Sequence, residues 1–98
     1  MICVKVYRQG PEVLVAACDE DIVGKTFRGN DLKITVAETF YRGDLGDEEM
    51  LVSRLEMATI ANLVGRKTLE IAIKHGFVDP DYVLQIGEVP HAQMARMM

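Results

Sequence analysis

A chain of 98 residues, of which 49% are hydrophobic and 27% charged, has the composition of a single soluble globular domain. Its longest apolar run, residues 13–18, is far shorter than the roughly 20 residues that a bilayer-spanning helix requires. The net charge of −4 argues against a domain whose whole surface binds nucleic acid, because phosphate neutralisation dominates such binding. A local basic patch is compatible with this charge.

The amino terminus and the cysteines predict a cytoplasmic protein. Residues 1–7 alternate between apolar and polar from the start, without the basic, apolar and small-residue segments of a secretion signal. Cys3 and Cys18 are too few for a disulfide scaffold, and they lack the C-x-x-C spacing. We therefore expect neither a secreted nor a membrane-bound protein.

The first predicted element is a β-hairpin. Residues 2–7 and 12–18 are rich in strand-forming residues, and Gly10-Pro11 lies in the turn between them. The register that gives a continuous apolar face pairs Val4 with Ala17 and places Cys3 opposite Cys18. Both a disulfide and two half-buried thiols fit this register, and the expected compartment favours the thiols.

The next segment predicts an acidic turn and a third strand. Residues 19–27 contain three acids and fit either a turn or a single helical turn that Gly24 stops, and residues 27–30 are expected to form a loop. Residues 32–36 alternate strictly and predict a strand. A further loop is expected over residues 42–46.

Two helices are predicted next. Asp47 is a good N-cap for a helix that is expected to continue to about Val64. Asn62 falls on the apolar stripe of that helix, so it is interpreted either as a buried capping residue or as a site residue. A second helix is expected over residues 66–75, followed by Gly76 in the left-handed conformation.

The carboxyl-terminal part predicts a return to strand. Residues 82–86 form the fourth expected strand, and residues 91–98 fit either a strand or a helix, of which we favour the strand because it would close the sheet. Strands, then helices, then a strand indicate an α+β fold. We expect a single-domain two-layer sandwich over residues 1–98, with a mainly antiparallel sheet of four or five strands and two helices on one face.

A phosphate-binding P-loop is excluded. Residues 24–26 read Gly-Lys-Thr, but the eight-residue pattern requires glycine at the position of Asp19. The acids of residues 19–21 would also repel phosphates, and no long helix is expected directly afterwards.

Residues 65–68 are the first candidate site. Gly65, Arg66, Lys67 and Thr68 lie at the expected start of a helix, where unpaired N–H groups and the positive end of the helix dipole meet two cations. This arrangement suits a phosphate, and it predicts an anion-binding or RNA-binding site.

A second candidate is the polar cluster of Asn62, His91, Gln93 and Arg96. A histidine there could act as an acid or base. Cys3, Cys18, His75 and His91 share no metal-binding spacing, so neither a metal nor a cofactor is expected.

Four segments carry a family resemblance: CDEDIVGKTF, ATIANLVGRKTLEIA, VDPDYVLQIG and VPHAQMARM. Together they resemble the small archaeal proteins of the domain-of-unknown-function family numbered 424, over nearly the whole chain. The resemblance implies a cytoplasmic protein with a two-layer α+β fold. It assigns no catalytic residue, because that family has no established activity or cofactor.

Three functional hypotheses follow. The first is a non-enzymatic module that binds RNA or a ribonucleoprotein through residues 65–68, helped by Arg42, Lys74 and Arg96. The second is a homodimer or protein adaptor that uses an exposed sheet edge or the methionine-rich end, which contains Met94, Met97 and Met98. The third is a small enzyme that uses His91, with Asn62 or a cysteine nearby.

Overall fold

A six-stranded mixed sheet forms the centre of the protein in a computed structural model that describes residues 1–96. The strands of the chain are β1 (Ile2–Gln9), β2 (Glu12–Asp19), β3 (Thr26–Gly29), β4 (Leu32–Thr35), β5 (Asp44–Gly46), β6 (Ile60–Val64), β7 (Leu84–Ile86) and β8 (Val89–Ala95). The central sheet has the order β5-β1-β2-β6-β8-β7, and β3 pairs only with β4. Strands β2 and β6 are parallel, and the other pairs are antiparallel.

Within residues 1–96, three helices accompany the sheet: α1 (Glu38–Tyr41), α2 (Glu48–Met57) and α3 (Arg66–Lys74). Short 3₁₀ turns span Glu20–Ile22 and Pro80–Tyr82. Asp47 caps α2 as expected, with its carboxylate accepting from the Met50 amide at 3.1 Å. Gly76 ends α3 at a φ of 78°, which confirms the predicted left-handed stop.

Helices α2 and α3 cover one face of the sheet. Leu51 and Leu55 of α2 are fully buried, and Leu69 of α3 is nearly so. They pack against the inward side chains of the central strands, including Val15 and Leu63. This face is a continuous apolar core.

The opposite face is covered in part by the β3–β4 hairpin and by α1. Phe27 and Ile34 of the hairpin and Tyr41 of α1 pack on the sheet around Cys3 and Cys18. The α+β class is confirmed, but the sheet is larger than the four or five strands expected. The hairpin can cover this face because its apolar residues Phe27 and Ile34 alternate toward the sheet.

The register of the first hairpin is confirmed. Val4 lies opposite Ala17, and Cys3 lies opposite Cys18. Both cysteines are free and fully buried rather than half-buried. The apolar pattern fixed this register because a slip of one residue would turn every buried side chain toward the solvent.

The expected helix to Val64 is wrong in its second half. Helix α2 ends at Met57, and residues 60–64 form β6 at the centre of the sheet. This strand is buried between neighbours on both sides, so its sequence is a nearly continuous apolar run that also fits a helix. Asn62 therefore lies on a strand rather than on a helix stripe.

Smaller differences occur in the segments expected to be loops. Residues 26–29 form β3, and residues 44–46 form the edge strand β5. The expected strand over residues 82–86 is shorter and begins at Leu84. The tail is a strand, as favoured, and β8 pairs with both β6 and β7. Met97 and Met98 lie outside the described residues.

Candidate functional site

The start of α3 lies beside the end of β2. Strands β2 and β6 are parallel, with Cys18 opposite Val64, so both strands end at the same edge of the sheet. Helix α3 begins directly after β6, with Gly65 at its N-cap. Asp19, the last residue of β2, is therefore placed against the first turn of α3.

The Asp19 carboxylate occupies the amino-terminal end of α3. Its oxygens accept hydrogen bonds from the amides of Lys67 at 3.1 Å and Thr68 at 2.9 Å, and from the Thr68 hydroxyl at 2.7 Å. Asp19 is 8% exposed and Thr68 is fully buried. Gly65 has a φ of 114°, and any side chain at this position would collide with the carboxylate. The backbone donors that the sequence analysis assigned to phosphate are thus bonded to Asp19.

Asp19 was not predicted to be the residue that caps α3. One signal was available, because Gly65 has no side-chain oxygen with which to cap the helix that follows it. A buried helix start needs an acceptor from elsewhere in the chain, and an acid at the end of a strand could supply it. The partner could be identified only once β2 and β6 were known to be parallel neighbours.

A polar cleft of about 700 Å³ opens beside this capped helix start, and we call it the α3 cleft. Lys25 and Phe27 from the segment after β2, and Arg66 and Lys67 from the start of α3, all line this cleft. The remaining lining residues are Asp19, Asp21, Ile22, Gly65, Gln85, Glu88 and Val89. The cleft therefore brings together cations from two segments that are some 40 residues apart in the sequence.

The cations divide into two groups by their contacts. Within residues 1–96, six of the eleven lysine and arginine side chains contact protein groups: Lys5, Arg8, Arg42, Arg54, Lys74 and Arg96. The other five have no hydrogen bond or ion pair with the described protein: Lys25, Arg28, Lys33, Arg66 and Lys67. We call these five the unpaired cations. All of them lie at the β3–β4 hairpin or at the start of α3, and all are exposed.

The expected helper cations of residues 65–68 lie elsewhere and have other partners. Arg42 forms an ion pair with Glu38 at 3.0 Å. Lys74 and the His75 imidazole both bond to Glu48 of α2, at 2.9 and 2.7 Å. These contacts lower the pKa of Glu48, with the His75 hydrogen bond as the largest cause and the Lys74 hydrogen bond next.

The second candidate cluster is only partly brought together. Gln93 lies opposite Asn62, and its Nε2 donates to Asn62 Oδ1 at 2.9 Å. His91 lies two residues before Gln93 on the same strand and so shares its face. Arg96 lies on the other face, where it donates to the Glu56 carbonyl at 3.0 Å and stacks over Phe77.

His91 has the environment of a neutral histidine. Burial lowers its pKa, because a low-dielectric setting disfavours the charged imidazolium. Its ring has no hydrogen-bond partner among the described residues. Its strand neighbours across the ladders are Val64 and Leu84, which offer no polar side chain to orient the ring.

The cysteines are poor nucleophiles. Burial raises the pKa of the Cys18 thiol to about 12, and the neighbouring Cys3 adds to this shift. Burial also raises the pKa of Cys3. Both groups therefore remain protonated thiols near neutral pH, whereas nucleophilic attack requires the thiolate.

Comparison with known proteins identifies a family and a fold. The family described as Protein of unknown function (DUF424) matches residues 7–97. A crystal structure of an uncharacterized conserved protein from Methanopyrus kandleri is similar, with a TM-score of 0.79 and 21% sequence identity. That similarity covers 99% of this chain and 95% of the other. No curated protein matches the chain.

Residues 1–96 contain no group of three or more metal-ligating side chains placed to hold an ion. This part of the chain also contains no helix with the length and hydropathy needed to cross a membrane.

Proposed function

This chain belongs to the family described as Protein of unknown function (DUF424), and we propose that it is a non-enzymatic module that binds RNA or a ribonucleoprotein through the α3 cleft. The observation that carries the proposal is the position of the unpaired cations. Lys25, Arg66 and Lys67 all line this cleft, and each is exposed. Phosphate groups are the partners that such a concentration of available cations suits best.

The side chains, rather than the helix amides, would bind the phosphates. Asp19 already satisfies two amides in the first turn of α3 and partly offsets the dipole of the helix. It also holds that turn in place through Thr68, so Arg66 and Lys67 project from a fixed backbone. A fixed backbone reduces the ordering cost of binding.

Acidic side chains in the α3 cleft weaken its attraction for phosphate groups. Asp21 and Glu88 also line it, although neither forms an ion pair with the three cations in the described structure. The cleft therefore suits a phosphate that approaches the cations directly, rather than one drawn from a distance by a large positive field. We expect moderate affinity with a clear dependence on salt.

The test is the binding of a labelled single-stranded RNA of mixed sequence, followed by fluorescence anisotropy between about 50 and 200 mM salt. Arg66→Gln with Lys67→Gln should weaken binding by about tenfold and reduce the salt slope by about two, since each lost phosphate contact lowers it by about one. The matched control is Arg8→Gln with Arg54→Gln, which makes the same change in net charge. Arg8 and Arg54 line a different depression, on the side of β1 near β5.

The outcome separates a site from a general charge effect. If only the Arg66 and Lys67 variant loses affinity, the cleft is the binding site. If both double variants lose affinity equally, binding reflects the total charge, and the cleft is not the site. If the wild-type protein shows no salt-dependent binding to RNA, the proposed function is wrong.

A homodimer is the second candidate, and the uncovered part of the sheet favours it. On the face opposite α2 and α3, Ile60 is 37% exposed and Leu84 is 53% exposed. The Asn62–Gln93 amide pair lies between these two positions on the neighbouring ladders. Such a mixed face suits a self-complementary interface.

Light scattering over a range of concentrations tests this candidate. Leu84→Lys should shift a dimer to monomer, whereas Leu45→Lys, at an exposed position on the opposite edge strand, should leave it intact. A wild-type protein that is monomeric at every concentration would exclude the dimer.

The enzyme hypothesis gains no comparable support, because His91 has no polar partner among the described residues.

A further inference from the structure

The outer surface of the β3–β4 hairpin is arranged as a ladder of matched cross-strand pairs. Arg28 lies directly opposite Lys33, and Thr26 lies opposite Thr35. All four side chains are exposed, whereas the alternate residues Phe27 and Ile34 pack on the sheet. The hairpin thus presents a pair of cations and a pair of hydroxyls on one side.

The Arg28–Lys33 pair is unfavourable in the isolated protein. Like charges directly opposite each other on a sheet repel, and neither cation has an ion-pair partner among the described residues. An anion placed between them would relieve this repulsion. The Thr26 and Thr35 hydroxyl oxygens lie 3.0 Å apart, about 7 Å farther along the strands. One hydroxyl donates to the other, so the pair has one free O–H that could donate to an oxygen of a second phosphate.

The hairpin is held firmly against the central sheet. Gly29 packs against the backbone of Gly87 in the β7–β8 turn, and a side chain at either glycine would collide with the other segment. Asn30 Nδ2 donates to the Gln85 carbonyl at 3.3 Å. Asn30 and Asp31, at φ values of 52° and 62°, form the tight turn that suits a two-residue hairpin. The ladder is therefore a preformed surface and not a mobile loop.

The ladder begins next to the α3 cleft along the chain. Lys25 lines the cleft and directly precedes Thr26, the first residue of β3. The Thr26–Thr35 pair therefore lies between Lys25 and the Arg28–Lys33 pair along the hairpin. A strand of nucleic acid that leaves the cleft past Lys25 would meet the two hydroxyls first and the two cations next.

We propose that the outer surface of the β3–β4 hairpin binds the phosphodiester backbone of the nucleic acid through Arg28 and Lys33, with the Thr26–Thr35 hydroxyl pair supplying one additional hydrogen-bond donor. This inference rests on the proposed function and extends its binding surface from the cleft to the hairpin. It identifies the ligand as a polyanion that follows both surfaces, and so distinguishes a nucleic-acid strand from a single small phosphate.

Arg28→Gln with Lys33→Gln tests the inference in the same RNA-binding assay. We expect affinity to fall by about tenfold and the salt slope to fall by about two. Thermal stability should stay equal or rise, because the substitution removes a repulsive pair. The charge-preserving exchange, Arg28→Lys with Lys33→Arg, should restore binding. The control is again Arg8→Gln with Arg54→Gln.

The outcomes separate the two proposals. If the Arg66 and Lys67 variant loses affinity while the Arg28 and Lys33 variant binds as the wild type does, the hairpin inference is overturned and the cleft stands. The reverse result overturns the cleft as the site and supports the hairpin. If the wild type binds no RNA, both proposals fail.

A final measurement repeats the binding assay with a single-stranded DNA of the same sequence. Phosphodiester groups are common to both nucleic acids, so the hairpin variant should lose affinity for RNA and DNA to a similar extent. A loss restricted to RNA would overturn phosphate binding by the hairpin, since it would indicate contacts with the 2′-hydroxyl instead.

Discussion

The two faces of the central sheet differ in how completely they are covered. The face beneath α2 and α3 is closed by large apolar side chains, and Leu51, Leu55 and Leu63 are fully buried there. The opposite face is covered only where the β3–β4 hairpin and α1 pack on it, and Leu84 and the Asn62–Gln93 pair lie at its surface. Stability thus depends mainly on the first face, while the second can carry contacts to other molecules.

The unpaired cations follow the same division. None of their side chains is part of the apolar core beneath α2 and α3. Three of the five lie on or beside the hairpin that covers the second face. Arg66 and Lys67 stand where α3 meets the edge of the sheet. The face beneath α2 and α3 therefore supplies the packing, while the other face and the adjoining edge of the sheet are free to provide the binding surface.

The largest expected effect comes from breaking the closed face. Leu55→Ala should lower the free energy of unfolding by about 2–5 kcal/mol, because it removes buried methyl groups and leaves a cavity between α2 and the sheet. Leu84→Ala, on the open face, should change it by less than about 0.5 kcal/mol. Urea denaturation measures both. Equal losses for the two variants would contradict the division between the faces.

An intermediate effect on stability is expected at Asp19, at the edge of the sheet where α3 begins. Asp19→Asn should cost about 1–3 kcal/mol of unfolding free energy, because a neutral amide cannot replace all three hydrogen bonds of the carboxylate. The same change removes a negative charge from the α3 cleft, so RNA binding should become tighter. Asp21→Asn, which alters an exposed acid of that cleft, should leave stability unchanged.

Unfolding free energy and RNA affinity together test the role of Asp19. A fall in stability together with tighter RNA binding fits a residue that caps α3 beside a phosphate site. Unchanged stability in denaturant would contradict the capping role. Lower stability without any change in RNA affinity would separate the cap from the binding site.

The smallest expected effect is the contribution of His91, on the open face, to the pH dependence of the free energy of unfolding. Burial holds the pKa of His91 below its usual value of 6.5, so the folded protein takes up this proton less readily than the unfolded chain. The free energy of unfolding should therefore fall as the pH drops from about 6.5 toward the folded pKa, and it should be insensitive to His91 above that range. His91→Gln should remove this contribution.

Denaturation at a series of pH values between about 5 and 8 measures the His91 effect. Gln93→Asn is the control, because it alters the same face without removing the titrating group. If the His91 variant keeps the full pH dependence of the wild type, the contribution belongs to another group.

Much of the local structure could be predicted from the sequence. The β1–β2 register follows from the alternation of Val4 and Val6 with polar neighbours, and the N-cap of α2 follows from Asp47. The anion-site hypothesis at residues 65–68 correctly identified the start of α3 and its two exposed cations. In each case the signal lies within a few neighbouring residues.

Other features could not be predicted, because they depend on distant contacts. Residues 60–64 were interpreted as helix, since a strand with neighbours on both sides has no polar alternation to distinguish it. The β3–β4 hairpin was missed in its first strand, which is short and contains a single large apolar residue, Phe27. By contrast, the separation of Arg96 from His91 and Gln93 follows from strand alternation alone, because residue 96 falls on the opposite face of a strand from residues 91 and 93.

The sequence by itself determined the α+β class, the first hairpin, the two main helix starts and the presence of cations beside Gly65. Only the tertiary structure decided that β2 runs parallel to β6. This arrangement places Asp19 against α3, where its carboxylate accepts hydrogen bonds from the amides of the first turn. It also decided which cations find protein partners and which remain unpaired. The physical reason is that side-chain periodicity acts over a few residues, whereas the cap of α3 joins Asp19 to Thr68, 49 positions away, and the ion pairs of Glu48 join α2 to α3.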